Sequence, residues 1–250
     1  MNKVYLVGAG PGAADLLTLR AARLLTESAE IVLADDLVSD EVLAMVRPGA
    51  RVLRVGKRAG RPSTPQATIH RLMVHFARRG RVVLRLKGGD PCVFGRAGEE
   101  IEALAAAGIE AEIVSGLTAG IVVPAAVGIP VTHRAHTHGV TLITAHCADG
   151  SGPDWKALAA TGTTLVIYMG LARVLTIVAR LIAAGLSPRL PAAAIASGTL
   201  AMQRMVSSTL AELPEHIAAE GLTAPTILVI GEVAAFAHSA NDHARIGVAA

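Results

Sequence analysis

Residues Val4–Leu25, VYLVGAGPGAADLLTLRAARLL, join an apolar run, a glycine-rich turn and a stretch with apolar residues at helical spacing. The short apolar run predicts a buried strand, and the helical spacing predicts the helix that follows it. Gly8, Gly10 and Ala13 also satisfy the pattern G-x-G-x-x-A, in which glycines permit a tight turn beside a ligand. This stretch therefore predicts a strand, a ligand-binding loop and a helix in that order.

The same alternation continues along the chain and predicts an α/β fold. Strands are predicted at 3–9, 30–35, 51–56, 81–90, 110–116, 139–146, 163–170, 191–198, at the start of 204–213, and at 225–233. Helices are predicted at 16–28, 64–80, 98–108 and 171–185. Because strands that alternate with helices are joined by crossovers, we expect parallel sheets with right-handed connections.

A change of composition predicts where the chain divides. The stretch 115–134, SGLTAGIVVPAAVGIPVTHR, is rich in glycine and proline and follows five strand–helix units. We therefore expect an N-terminal α/β domain at 1–114 and a C-terminal α/β domain at 115–238. The segment 239–250 loses periodicity, which is typical of a flexible tail.

Composition limits the class of protein. The 250 residues carry a formal net charge of +3, and mean hydropathy is +0.51. The most apolar stretch, 163–186, contains Arg173 and Arg180, so we expect buried core rather than a membrane span. The first residues lack a signal-peptide pattern, and two cysteines give no disulfide framework; both favour the cytoplasm. The excess of arginine favours an acidic ligand, although a coding bias accounts for it equally well.

The first glycine turn alone leaves its ligand open. Asp35 follows about twenty residues later, as the ribose-binding acid of a dinucleotide site would. Against that reading, Pro11 and Gly12 stand where the helix should begin, and proline removes one amide that a pyrophosphate would use.

A second glycine-rich loop shifts the balance. Residues 85–100, RLKGGDPCVFGRAGEE, continue an apolar strand into adjacent glycines. Such glycines let backbone groups approach a ligand closely, and Asp90 is suited to cap a turn or to orient a ligand hydroxyl. Two such loops at the carboxyl ends of strands in one sheet predict a binding crevice.

Several motifs in order carry a resemblance to a known family. They are VGAGPGAADLLTLRA (7–21), LVSDEVL (37–43), VGKRAG (55–60), the loop 85–100 and GIPVTHR (128–134). Together they resemble the uroporphyrinogen-III C-methyltransferases, which are tetrapyrrole methylases dependent on S-adenosylmethionine (SAM). The resemblance runs from about residue 4 to residue 233.

The resemblance implies a fold and a reaction. The fold is two α/β domains with the ligand in the cleft between them, usually as a homodimer. The reaction is methylation of uroporphyrinogen III at carbons 2 and 7 to give precorrin-2, in siroheme or cobalamin biosynthesis. The extent of the match implies a single-function enzyme without the dehydrogenase–chelatase module that is fused to some relatives.

The resemblance also assigns cofactor and catalytic residues. The SAM contacts would be Pro11, Gly88, Gly89, Asp90, Val93, Thr118, Ala119, Met169, Gly198 and Thr226. Asp35 matches a proton acceptor and Lys57 a proton donor. On sequence alone Asp35 also fits a strand-end cap, Lys57 a substrate anchor and Met169 a core residue. Ala34 and Asp36 depart from the family pattern, which has tyrosine and arginine there, and Cys92 replaces the usual phenylalanine.

A substrate with many carboxylates needs cations. We expect Arg58, Arg61, Arg96 and Arg134 to bind it, since guanidinium groups pair with carboxylates. The cluster His133, His136, His138, His146 and Cys147 would permit a transition metal, but we expect surface or substrate-side histidines and no metal.

Alternative functions remain at this point. They are a methylase of a later precorrin, of diphthamide or of ribosomal RNA, an oxidoreductase using NAD or FAD, and a non-catalytic tetrapyrrole or SAM-binding regulator. Aromatic residues make up only 2% of the chain, which offers few stacking platforms for RNA. We expect neither a nucleic acid nor a membrane as partner.

Overall fold

The computed structural model describes residues 3–56, 64–145 and 152–237. Its contacts divide the chain into two compact units, Met1–Thr118 and Ala119–Ala250. The domain limits drawn from composition stay predictions.

The first unit is built on a five-stranded parallel sheet with the order β3-β2-β4-β1-β5. The strands are β1 (Lys3–Gly8), β2 (Ile31–Ala34), β3 (Arg51–Arg54), β4 (Val83–Lys87) and β5 (Glu110–Val114). The helices are α1 (Leu19–Arg23), α2 (Asp40–Ala44), α3 (Gln66–Arg78) and α4 (Ala97–Ala106). Because β2, β4 and β1 are parallel neighbours, the loops after them meet at one edge of the sheet.

Side-chain caps explain where the short helices of this unit begin. Thr18 accepts a hydrogen bond from the Ala21 amide before α1, and Ser39 accepts one from the Val42 amide before α2. The Ser39 hydroxyl also donates to the carbonyl of Gly12 at 2.6 Å, so α2 is tied to the first glycine loop. The helix predicted at 16–28 is divided into a 3-10 turn, α1 and one wider π turn.

The second unit is built on a sheet with the order β6-β7-β10-β8-β9. Its strands are β6 (Val140–Thr144), β7 (Thr164–Tyr168), β8 (Pro191–Ala196), β9 (Arg204–Thr209) and β10 (Thr226–Ile230). Its helices are α5 (Ala119–Ala126), α6 (Trp155–Ala160), α7 (Val174–Ala183) and α8 (Leu213–Ala219).

The prediction of parallel pairing is wrong for this second sheet. Among the described strands of this sheet, β6 and β7 alone pair in parallel, whereas β10 runs antiparallel to β7 and β8, and β8 runs antiparallel to β9. The cause is local, because a short loop without a helix joins β8 to β9 and returns the chain beside itself.

Both units bury apolar cores on the two faces of their sheets. The apolar stretch 163–186 forms β7 and α7 of the second unit, where Ile167, Ile177 and Leu181 are buried. No helix within the described ranges combines the length and apolar character that crossing a bilayer requires.

Candidate active site

The two glycine-rich loops of the first unit are joined backbone to backbone. The Gly10 amide donates to the Gly89 carbonyl at 3.2 Å, and the Gly89 amide donates to the Gly10 carbonyl at 2.7 Å. A methyl group on Gly8 would lie 2.5 Å from the Gly116 nitrogen and 2.6 Å from the Gly89 carbonyl oxygen. Glycine is therefore required because three loops meet with no room for a side chain.

The Asp90 carboxylate stabilises this junction through two hydrogen bonds. One of its carboxylate oxygens accepts from the Cys92 amide at 2.8 Å, and the other accepts from the Gly116 amide at 3.0 Å. Of the two roles that the sequence left open, the structure shows the loop-capping role. Pro11, Gly88 and Thr118 are half-buried around it, so small residues and backbone groups stay accessible. Such a surface fits a nucleoside-bearing cofactor, which backbone donors and acceptors can hold.

In each unit, left-handed backbone occurs at or beside residues predicted to bind ligands. Among the described residues, the non-glycine residues with left-handed φ, between 49° and 68°, are Phe94 and Arg96 in the first unit and Met169, Ser197 and Thr199 in the second. Arg96 and Met169 were predicted to bind ligands, Phe94 follows Val93, and the other two flank Gly198. Left-handed backbone costs a non-glycine residue about 1–3 kcal/mol and clusters at ligand sites, which supports these predicted positions independently of any motif.

The second unit brings its predicted cofactor residues together in two pairs. The Tyr168 hydroxyl accepts from the Gly120 amide at 2.6 Å, which links the end of β7, just before Met169, to the start of α5, where Ala119 lies. The Ser197 amide donates to the Pro225 carbonyl at 2.9 Å, which places Gly198 near Thr226.

The two pairs lie at the same end of the sheet. Ile167 pairs with Leu228 in the antiparallel register, so Met169 and Thr226 both lie two residues beyond this pair toward that end. The Met169 side chain is half exposed, which argues against the alternative that it fills the core.

Asp35 directly follows β2 and is held by a buried cation. Its Oδ1 accepts from Arg85 Nη2 at 2.5 Å, and its Oδ2 lies 3.8 Å from Lys87 Nζ. The Asp35 side chain remains 29% exposed, whereas that of Arg85 is 2% exposed. One side of the carboxylate is therefore fixed from inside the protein while the group stays reachable from solvent.

The buried cations share a second carboxylate that sequence reasoning missed. Glu100 on α4 has no exposed surface and accepts from Arg85 Nε at 2.8 Å and from Lys87 Nζ at 3.0 and 3.1 Å. Burial, and then the nearby Arg85 charge, lowers the pKa of Lys87 from its ordinary value, while Glu100 and Asp35 oppose that shift. The available signal was the pair of cations in an otherwise apolar strand, VLRLK.

The predicted substrate arginines have different outcomes. Arg96 makes a two-pronged ion pair with Glu99, at 2.8 and 2.7 Å, and this hydrogen-bonded pairing lowers the pKa of Glu99. Arg134 is exposed in the second unit. Lys57, Arg58 and Arg61 lie outside the described residues.

The histidines form aromatic contacts. His133 stacks on Phe236 with ring centroids 5.1 Å apart, and His136 lies 4.5 Å from His133. Within the described ranges, no group of three or more histidine, cysteine, aspartate or glutamate side chains is arranged to hold a metal. His146 and Cys147 lie outside those ranges.

Comparison with known proteins places these features in context. Residues 3–214 match the family described as tetrapyrrole (corrin/porphyrin) methylases. A uroporphyrinogen-III C-methyltransferase of Pseudomonas aeruginosa is 54% identical over 93% of this chain and 94% of its own length. A siroheme synthase of Pseudomonas paraeruginosa is 50% identical over 93% of this chain, which matches 50% of that protein. The crystal structure of uroporphyrin-III C-methyl transferase from Thermus thermophilus, complexed with S-adenyl homocysteine, has a TM-score of 0.79 and 40% identity, covering 92% of this chain and 98% of that one.

Proposed function

Because the chain belongs to the tetrapyrrole (corrin/porphyrin) methylase family, we propose that it transfers methyl groups from SAM to carbons 2 and 7 of uroporphyrinogen III. The product is precorrin-2, which feeds siroheme or cobalamin biosynthesis. The observation that carries the proposal is the junction of the two glycine loops at the sheet edge where Asp35 also lies.

The proposed cofactor residues fall in both units. In the first unit they are Pro11, Gly88, Gly89, Asp90, Val93 and Thr118; in the second they are Ala119, Met169, Gly198 and Thr226. When bound, SAM supplies an electrophilic methyl group on a sulfonium. The chain's task is to hold the donor and the electron-rich pyrrole carbon at reacting distance, which by itself is worth several kcal/mol.

Proton movement is assigned to two side chains. Asp35 accepts the proton that the methylated ring must lose, and its hydrogen bond to Arg85 holds it in place for this step. Lys57 donates a proton when a proton moves from one ring position to another, as its position in VGKRAG suggests, so that the ring loses one proton in total for each methyl cation that it gains. Arg58, Arg61, Arg96 and Arg134 bind substrate carboxylates; for Arg96 this requires release from, or sharing with, Glu99.

The test is to incubate the protein with SAM and uroporphyrinogen III without oxygen and to measure the mass of the product by mass spectrometry. Two added methyl groups support the proposal, and one shows that the second transfer stalls. No added methyl group would exclude this substrate and direct the assay to later precorrins. Calorimetry with S-adenosylhomocysteine and with NAD or FAD checks the cofactor separately.

The assembly and location follow the same family. We propose a cytoplasmic homodimer, without nucleic-acid or membrane partners. Sedimentation of the purified protein and fractionation of cells test these two points.

A further inference from the structure

Glu100 is a buried acid that the proposed reaction does not use. It lies on α4, and its carboxylate accepts hydrogen bonds from three side chains: Arg85, Lys87 and Gln66. A buried carboxylate persists only when such partners compensate its lost hydration. The three donors leave Glu100 one defined orientation.

Arg85 is fixed from every side, and Glu100 holds the edge that faces α4. Its Nε donates to Glu100, its Nη1 donates to the carbonyls of Leu33 and Leu86 at 3.2 and 3.3 Å, and its Nη2 donates to Asp35. A guanidinium is planar, so fixing the Nε edge also fixes the direction of Nη2. The orientation of Glu100 is thereby transmitted to the Asp35 carboxylate.

We propose that Glu100 is a positioning residue for proton transfer at Asp35, acting through Arg85. This rests on the proposed function, in which Asp35 accepts the proton. Glu100 also keeps Lys87 bound on its own side, because Lys87 Nζ is closer to Glu100 at 3.0 Å than to Asp35 at 3.8 Å. Without the Glu100 charge, both cations compete for Asp35, whose oxygens are then drawn inward.

The decisive variant is Glu100→Gln, which keeps the side-chain size and removes the charge. Its matched control is Glu102→Gln, two residues along the same helix and exposed. We expect Glu100→Gln to lower kcat roughly tenfold to a hundredfold, as a small misplacement of a reacting group does. The affinity for S-adenosylhomocysteine should stay within about threefold, since Glu100 holds no proposed cofactor contact.

A second readout does not depend on activity. Nitrogen-15 NMR of the Arg85 guanidinium, assigned by its loss in Arg85→Lys, should show separate, slowly exchanging Nη signals in the wild type. Glu100→Gln should merge them, whereas Glu102→Gln should leave them unchanged. If Glu100→Gln does not fold, the double variant Glu100→Gln with Lys87→Met removes one buried charge of each sign. In this double variant too, the two Arg85 Nη signals should merge.

Persistence of the separate Arg85 signals without the Glu100 carboxylate overturns the proposal, as does a Glu100→Gln kcat within about twofold of the wild type. Should the wild type transfer no methyl group, the proposed function fails. The guanidinium signals would then still decide whether Glu100 fixes Arg85.

Discussion

The two units bury a five-stranded sheet each, but they fill their interiors differently. The first unit places Arg85, Lys87 and Glu100 inside, below the edge where the glycine loops join. In the described part of the second unit, the buried polar residues are two threonines, Thr164 and Thr226. Bringing ions into a protein interior costs several kcal/mol per ion before compensation, so charges are not needed merely to stabilise such a sheet.

The contrast indicates a division of labour. Under the proposed function, the first unit would carry the charged groups that move or hold a proton, fixed by buried partners. The second unit has an apolar core, and its residues with left-handed φ at 169, 197 and 199 lie at or beside the proposed cofactor contacts. Substitutions in the first unit's charge cluster should therefore impair the reaction, and core substitutions in the second unit should impair stability.

Asp35→Asn should have the largest effect. Loss of a proton acceptor lowers kcat by about 10²–10⁴-fold, while the affinity for S-adenosylhomocysteine should change little. Asp40→Asn is the control, because Asp40 is an exposed carboxylate near the same sheet edge. Single-turnover assays measure the rate of methyl transfer in both variants, and calorimetry measures their affinity for S-adenosylhomocysteine. Equal rates of methyl transfer in the two variants would contradict the expectation that the first unit's charge cluster serves the reaction.

Leu181→Ala should show the opposite behaviour. Leu181 is fully buried in the second unit, so the cavity left by the substitution should cost about 2–5 kcal/mol of unfolding free energy. Urea unfolding measures that loss. At a temperature where the variant is folded, kcat should stay near the wild-type value. A large fall in kcat would contradict the expectation that core substitutions in the second unit impair stability alone.

Gly8→Ala should affect cofactor binding and stability together. The added methyl group meets backbone atoms 2.5–2.6 Å away, so the loops must separate at a cost of about 1–3 kcal/mol. We expect a lower affinity for S-adenosylhomocysteine by calorimetry and a lower melting temperature. Gly98→Ala is the control, because a methyl group there meets nothing within 4 Å. Wild-type affinity in Gly8→Ala would show that the junction does not shape the cofactor site.

Glu112 should give the smallest effect, since its side chain and its cationic partners are partly exposed to solvent. Its hydrogen bond from Lys3, and then the Arg20 charge, lower the Glu112 pKa below the usual value. The native state therefore gains stability from Glu112 above the unfolded-state pKa, and this gain is lost as pH falls through the lower folded-state pKa. Glu112→Gln should lower the melting temperature by about 1–3 °C at neutral pH and by less at acid pH. A loss that grows on acidification would contradict this sign.

Local patterns predicted the elements better than their pairing. All ten predicted strands occur within the described residues, because most of them are short apolar runs bounded by turn residues. The second sheet's antiparallel strands were missed because the short loop between β8 and β9 contains no helix, so the chain reverses there and the following strands run in the opposite direction. Helix α5 was not identified as a helix because it contains Pro124, which ordinarily opposes helix formation.

The site divides in the same way. Motifs identified the glycine loops and Asp35, since each loop is a short continuous stretch and Asp35 directly follows a predicted strand. The contacts of Arg85 with Asp35 and Glu100 span 50 and 15 residues, so only the folded chain brings them together. The hydrogen bond by which Asp90 stabilises the loop junction likewise depends on Gly116, 26 residues away.

The close meeting of Gly8, Gly89 and Gly116 bears on how this protein can change over evolutionary time. Gly8 and Gly116 are each blocked by the backbone of the other and by the Gly89 carbonyl, and Gly89 itself has a left-handed φ of 69°, so a side chain at any of the three is strained. Side chains should therefore be gained at positions with free space, such as Gly98, while the three-glycine contact is inherited intact.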